Sequence, residues 1–132
     1  MKPATDIGRR LILETLEWPD SWKYDRTDVP TGQAILKVVT PFLQHLVDSS
    51  LAAVTLRRHF SNIWLLGGKI IKEVNKDSEL RSLSIQDLVF HFINENGGPL
   101  SQHLSTETEQ RSFDSSCRKL YHFLFTQASK LK

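Results

Sequence analysis

The chain has 132 residues, 39% of them hydrophobic and 24% charged, a globular and not a disordered composition. Its one cysteine, Cys117, excludes an internal disulfide framework, and its longest apolar runs, 63–66 and 122–125, are too short to span a bilayer. The net charge of +2 is unremarkable, and the length suits one helical domain over residues 1–132.

In chain order, Thr5 or Asp6 can cap a first helix whose apolar positions Ile7, Leu11 and Leu16 share a face. Trp18-Pro19 is expected to end it, because the residue before proline avoids the helical region. Residues 18–30 read as a loop punctuated by Pro19, Asp20, Asp25, Asp28 and Pro30, with Trp18, Trp22 and Tyr24 packing it onto the core. A second helix from near Thr31 turns Ile35, Val38, Val39, Phe42 and Leu46 inward. Pro41 within it either kinks one helix or starts another, with Thr40 as cap. Asp48-Ser49-Ser50 breaks the pattern.

The third helix starts at or just before Thr55. Leu56, Phe60, Ile63, Trp64, Gly67, Ile70, Ile71 and Val74 recur on one face of it. Gly67-Gly68 costs roughly 1 kcal/mol per glycine in a helix interior, so a close approach by another backbone or a break is expected there. Asp77 to Leu83 connects to a fourth helix, with Ser84 and Asp87 forming a capping box and Leu88, Val89, Phe92 and Ile93 buried. Asn96-Gly97-Gly98-Pro99 stops it. Thr106 and Glu109 then cap a last helix with Phe113, Cys117, Leu120, Tyr121, Leu124, Ala128 and Leu131 on its face. No stretch alternates with period two. The expected fold is therefore all-α, a compact orthogonal bundle of five or six helices with no sheet.

The candidate chemistry is sparse. The histidines His45, His59, His91, His103 and His122 show no i, i+4 pair of the kind that builds a helical zinc site, so no metal is expected. Gly67-Gly68-Lys69 fails as a P-loop, because Ile63 stands where the first glycine is required and Ile70 where Ser or Thr is required. Cys117 lies on an inward face, where a thiol behaves as a small apolar group. The acidic residues Glu107 and Glu109 suit the first turn of a helix and need no acid–base role. No catalytic set, cofactor or small-molecule substrate is evident, so a non-enzymatic protein is expected. With Glu14 and Glu17 interrupting any N-terminal signal core, a cytoplasmic location and no membrane partner are expected too.

The charge is unevenly distributed. Residues 49–76 carry five basic side chains and one acidic, residues 77–114 two and seven, and residues 115–132 four and none. At about 100° per residue, Arg57, Arg58, Lys69, Lys72 and Lys76 share about one third of the third helix, with Ser61 and Asn62 among them. The last helix groups Arg111, Ser115, Arg118, Lys119, His122 and Lys130 less tightly. Basic stripes of this kind suit phosphate contacts, and early Arg, Asn and Ser are residue types that reach bases and backbone. The candidate nucleic-acid-binding residues are therefore Arg57, Arg58, Ser61, Asn62, Lys69, Lys72, Lys76, Arg118 and Lys119, with duplex DNA as the expected partner. The alternative is an adaptor or dimerising regulator that meets a protein partner or a second copy through Trp22, Tyr24, Leu65, Phe123 and Phe125.

Phe42-Leu43-Gln44-His45-Leu46, then Ser49-Ser50, then Val54-Thr55-Leu56-Arg57-Arg58-His59 resembles the N-terminal core-binding (SAM-like) domain of tyrosine recombinases over residues 33–75. The resemblance implies a helical domain that carries basic residues onto DNA. No His-x-x-Arg occurs and no catalytic domain follows, so strand cleavage is not implied. The runs Thr55 to His59, Trp64 to Gly68 and Phe113 to Leu120 also resemble a small bacterial family without an assigned activity, a likeness covering most of the chain.

Overall fold

Helix follows helix with few interruptions in the computed structural model, which describes residues 3–99 and 104–130. The order is α1 (Pro3–Glu14), a 3-10 turn (Thr15–Glu17), α2 (Trp18–Trp22), α3 (Asp28–Asp48), α4 (Ala53–Lys76), a second 3-10 turn (Ser78–Ser82), α5 (Ile85–Phe92) and α6 (Glu107–Lys130). Among the described residues there is no strand, only an isolated antiparallel bridge between Asn94 and Gly97. The fold is an all-α bundle, as the periodicity predicts.

Helix α4 is the centre of the bundle and packs against α1, α2, α3, α5 and α6. Leu56, Phe60, Ile63, Leu66, Ile70, Ile71 and Val74 are buried on it and join Ile35, Val39, Phe42 and Leu43 of α3 and Phe113, Cys117 and Leu120 of α6 in one core. Each such side chain, fully buried, contributes about 1.5–3 kcal/mol of transfer free energy. Two helix starts follow the expected chemistry, whereas α1 begins at Pro3, so that Thr5 and Asp6 lie within it and do not precede it as caps. Ser84 Oγ accepts from the Asp87 amide at 3.1 Å, and Thr106 Oγ1 accepts from the Glu109 amide at 3.0 Å. The Glu109 carboxylate in turn takes the hydroxyls of Ser105 and Thr106.

The structure corrects several expectations. Trp18 does not leave the helical region before Pro19; it has φ −57° and ψ −48°. Pro19 stands in the first turn of α2, where an amide hydrogen has no helical partner to lose. Leu16 consequently falls outside the apolar face and is exposed. The supposed loop 18–30 shrinks to Lys23–Thr27 between α2 and α3. Trp22 is buried in the core and Trp18 packs beside it, but Tyr24 points outward. Pro41 lies inside a continuous α3, on its exposed side, where the Lys37 carbonyl it leaves unpaired can meet water.

Gly67 and Gly68 do not break α4, and it is a side chain, not a backbone, that approaches them. The Trp22 indole lies against Gly67, and its Nε1 donates to the Trp64 carbonyl at 2.9 Å. Trp64, assigned to the apolar face by spacing, lies at its border and donates to Ser21 Oγ at 2.9 Å. Helix α5 ends at Phe92, before the glycines. The reversal at Asn94–Gly97 then brings Gly98 to Asp114, whose Oδ1 accepts the Gly98 amide at 3.1 Å. His103, Leu131 and the side chains of Thr5, Ala128 and Lys130 lie outside what the structure describes.

Candidate nucleic-acid interface

Helices α4 and α6 run antiparallel, since His59 meets Ser116 while Asn62, three residues on, meets Ser112. Their seam is polar although it is buried. Ser116 is fully buried and His59 and Asn62 are nearly so. Asn62 Nδ2 donates to Ser116 Oγ at 2.9 Å and to the Ser112 carbonyl at 3.1 Å. Ser116 Oγ lies 2.7 Å from His59 Nδ1 and 3.4 Å from the Ser112 carbonyl, two acceptors between which its one hydrogen is shared out. When Ser116 donates to Nδ1, the ring proton of a neutral His59 stands on Nε2. Burial lowers the His59 pKa below its usual value, with Lys119 and Arg58 adding to the effect, so the ring is held neutral.

Asn62 is thereby removed from the candidate contact set. Its helical angle places it beside the basic stripe, but α6 covers that edge of α4 and its amide is consumed in the seam. Lys69 and Lys72 are half-buried, and Lys69 lies 3.4 Å from the Glu73 carboxylate. Lys76 is exposed at the end of α4. Arg57, Arg58, Ser61, Arg118 and Lys119 are exposed, and none of these four cations is in an ion pair among the described residues.

Adjacent in sequence and about 100° apart around α4, Arg57 and Arg58 border different clefts. Arg57 and Ser61 open onto a cleft against α1 with Arg10 and Glu14. Arg58 opens onto a larger cleft of about 870 Å³ between the C-terminal half of α3, the start of α4 and the middle of α6. Lys119, Ser115 and His122 enter that cleft from α6, and His45 enters it from α3. Among the described residues, none of those lining it is acidic. Beyond the seam, the first turn of α6 carries Glu107 and Glu109, and Arg111 is paired with Glu107 at 3.4 Å. Positive charge on this face is therefore concentrated at the Arg58–Lys119 end.

The polar seam escaped the sequence reading, although a signal existed. His59 and Asn62 are three residues apart and Ser112 and Ser116 four apart, so each pair lies on one edge of an amphipathic helix. Elsewhere, Cys117 is fully buried, and desolvation, reinforced by Asp114, pushes its thiol pKa far up. Among the described residues no three His, Cys, Asp or Glu side chains group to hold a metal ion, and no helix is long and apolar enough to cross a membrane. Compared with known proteins, the chain matches no family model, no curated protein and no solved structure.

Proposed function

We propose that this protein is a non-enzymatic, cytoplasmic module that binds duplex DNA through the face where the start of α4 meets the middle of α6. The observation that carries this reading is the convergence of Arg58 and Lys119, from two helices, on one cleft without an acidic residue. Arg57 and Arg118, each adjacent in sequence to one of that pair, add exposed cations. Phosphate contact by such a set is electrostatic, displaces condensed counterions and needs no base readout. The resemblance of residues 33–75 to a recombinase core-binding domain points the same way. Lys69 and Lys72 contribute less than their helical angles suggest, because neither lines that cleft and the Lys69 ammonium lies 3.4 Å from the Glu73 carboxylate.

The test compares two double substitutions of equal charge by fluorescence anisotropy on a short duplex. Arg58→Ala with Lys119→Ala is expected to weaken binding about tenfold or more, and Lys72→Ala with Lys76→Ala to weaken it less. Equal losses, or none, contradict the assigned face.

A second reading is a protein adaptor, and one observation favours it: Leu13, Leu16, Tyr24, Val54 and Phe125 leave large apolar surfaces in solvent. Trp22 drops out of that contact set because it is buried, and Leu65 and Phe123 are half-buried. Self-association lost on Phe125→Ser, with no DNA binding, would favour the adaptor.

A further inference from the structure

The α3–α4–α6 cleft holds a feature that phosphate contact on an open face does not use. His59 lines it although the residue is only 7% exposed. Its Nδ1 is taken by Ser116, and its Nε2 has no hydrogen-bond partner among the described residues. Among the described residues no fully buried side-chain polar atom lacks a partner, so Nε2 keeps some access to solvent. With Nδ1 accepting from Ser116, the ring proton stands on that nitrogen. In that tautomer an N–H donor borders a cavity that Arg58 and Lys119 also line.

We infer that this cleft is a binding site for a phosphate monoester on a planar aromatic body, a nucleoside monophosphate or the phosphorylated end of a nucleic-acid strand. Three donors from separate positions, the His59 Nε2–H, the Arg58 guanidinium and the Lys119 ammonium, match the three free oxygens of a phosphoryl group better than the two of a carboxylate. The hydroxyls of Ser115 and Thr55 line the same cleft. A place for the aromatic body is built from α3 and α6: the exposed His45 ring lies on Phe123 with centroids 5.3 Å apart, and Phe123 in turn rests on Phe42 at 5.7 Å. A further planar ring extends that stack. The volume of about 870 Å³ lies within the roughly 300–1,000 Å³ of small-ligand sites. The absence of carboxylates among the lining residues removes the repulsion that a dianion meets on most protein surfaces.

This site shares Arg58 and Lys119 with the proposed DNA face but does not depend on duplex binding. The experiment is a calorimetric titration with adenosine monophosphate, adenosine, inorganic phosphate, and a short oligothymidylate with or without a 5′-phosphate. The imidazole nitrogen shifts of His59 are followed by NMR in parallel. Adenosine monophosphate is expected to bind, adenosine not to, and the His59 Nε2 resonance to move on binding. Arg58→Ala and Lys119→Ala are each expected to weaken binding about tenfold, with unchanged thermal melting because both side chains are exposed. Tighter binding of the phosphorylated oligonucleotide than of the mononucleotide identifies a strand end as the occupant; the reverse identifies a free nucleotide. No binding of either phosphate ester, or binding indifferent to both substitutions and silent at His59, overturns the site. Duplex binding that persists alongside that failure leaves the DNA face standing, and its loss with nucleotide binding intact does the opposite.

Discussion

The six-membered ring of Trp22 occupies the space that a side chain at position 67 would need, so α2 is keyed into α4 through a glycine. The neighbouring Gly68 is only skirted by that indole, a Cβ there meeting Trp22 Cδ1 at an ordinary 3.4 Å. Two adjacent glycines in one helix therefore have opposite predicted responses to alanine. Gly67→Ala forces the indole out of the core and is expected to cost about 2–3 kcal/mol. Gly68→Ala gains helix propensity and is expected to stabilise by about 0.5–1 kcal/mol. Denaturant unfolding of the two variants measures both, and equal signs would show that the indole is not seated there.

A buried carboxylate ties the start of α3 to the end of α4. Asp28 accepts the amides of Tyr24 at 2.8 Å and Asp25 at 3.2 Å and the Asn75 side-chain amide at 3.0 Å, with Arg81 3.9 Å away. Burial alone would raise its pKa, but the hydrogen bonds and the guanidinium outweigh it and hold the group below its ordinary value of 3.8. The contribution is thus fully present above the unfolded carboxylate range, about 3.9, and is lost as pH falls through the lowered native value. Melting temperature should drop over that window in the native protein, and the drop should be smaller in Asp28→Asn. Asp28→Ala strands three donors and is expected to cost about 2–4 kcal/mol at neutral pH.

The His59–Ser116–Asn62 seam predicts a second acid-sensitive step. The His59 pKa is depressed in the folded state, so an unfolded chain takes up a proton below about 6.5 while the folded chain does not. Stability from this source is complete above that pH and is lost as pH falls below it. Ser116→Ala removes the hydroxyl shared by His59 and Asn62 and is expected to cost about 1–2 kcal/mol. An NMR titration of the His59 ring that gave an ordinary or raised pKa would contradict a neutral His59 in this seam.

Cys117 should resist thiol reagents in the folded protein. It is fully buried, packs where Gly98 leaves no room for a side chain, and has its pKa raised by desolvation and Asp114. Labelling should proceed only at the rate of unfolding and accelerate with denaturant; rapid labelling of the native protein would contradict this packing.

The parts of this molecule that were legible in sequence are those governed by local rules. The face of α4 from Leu56 to Val74 repeats at helical spacing, and Ser84 and Thr106 each cap an amide three residues on, so period and cap chemistry suffice. Tertiary partners were not legible. Nothing local distinguishes Asn62 from an exposed residue on the basic stripe; only α6, fifty residues away in sequence, covers it. Trp18-Pro19 read as a helix end because the pre-proline preference is local, whereas Trp22 in the core holds the next helical turn in place. The cations of the candidate face were named from the sequence, but their division between two clefts, and the neutral imidazole between Arg58 and Lys119, follow from packing.

The central claim is that exposed cations at the α4–α6 junction meet DNA phosphates, and the salt dependence of duplex binding tests it most directly. If Arg57, Arg58, Arg118 and Lys119 each neutralise one phosphate, the logarithm of affinity should fall with the logarithm of salt with a slope of about −3 to −4. Replacing Arg57 and Arg58 together by alanine should flatten that slope by about two while leaving the melting temperature unchanged, because both side chains are exposed on α4. Absence of duplex binding at low salt, or a slope that the double substitution does not alter, would contradict the assigned interface.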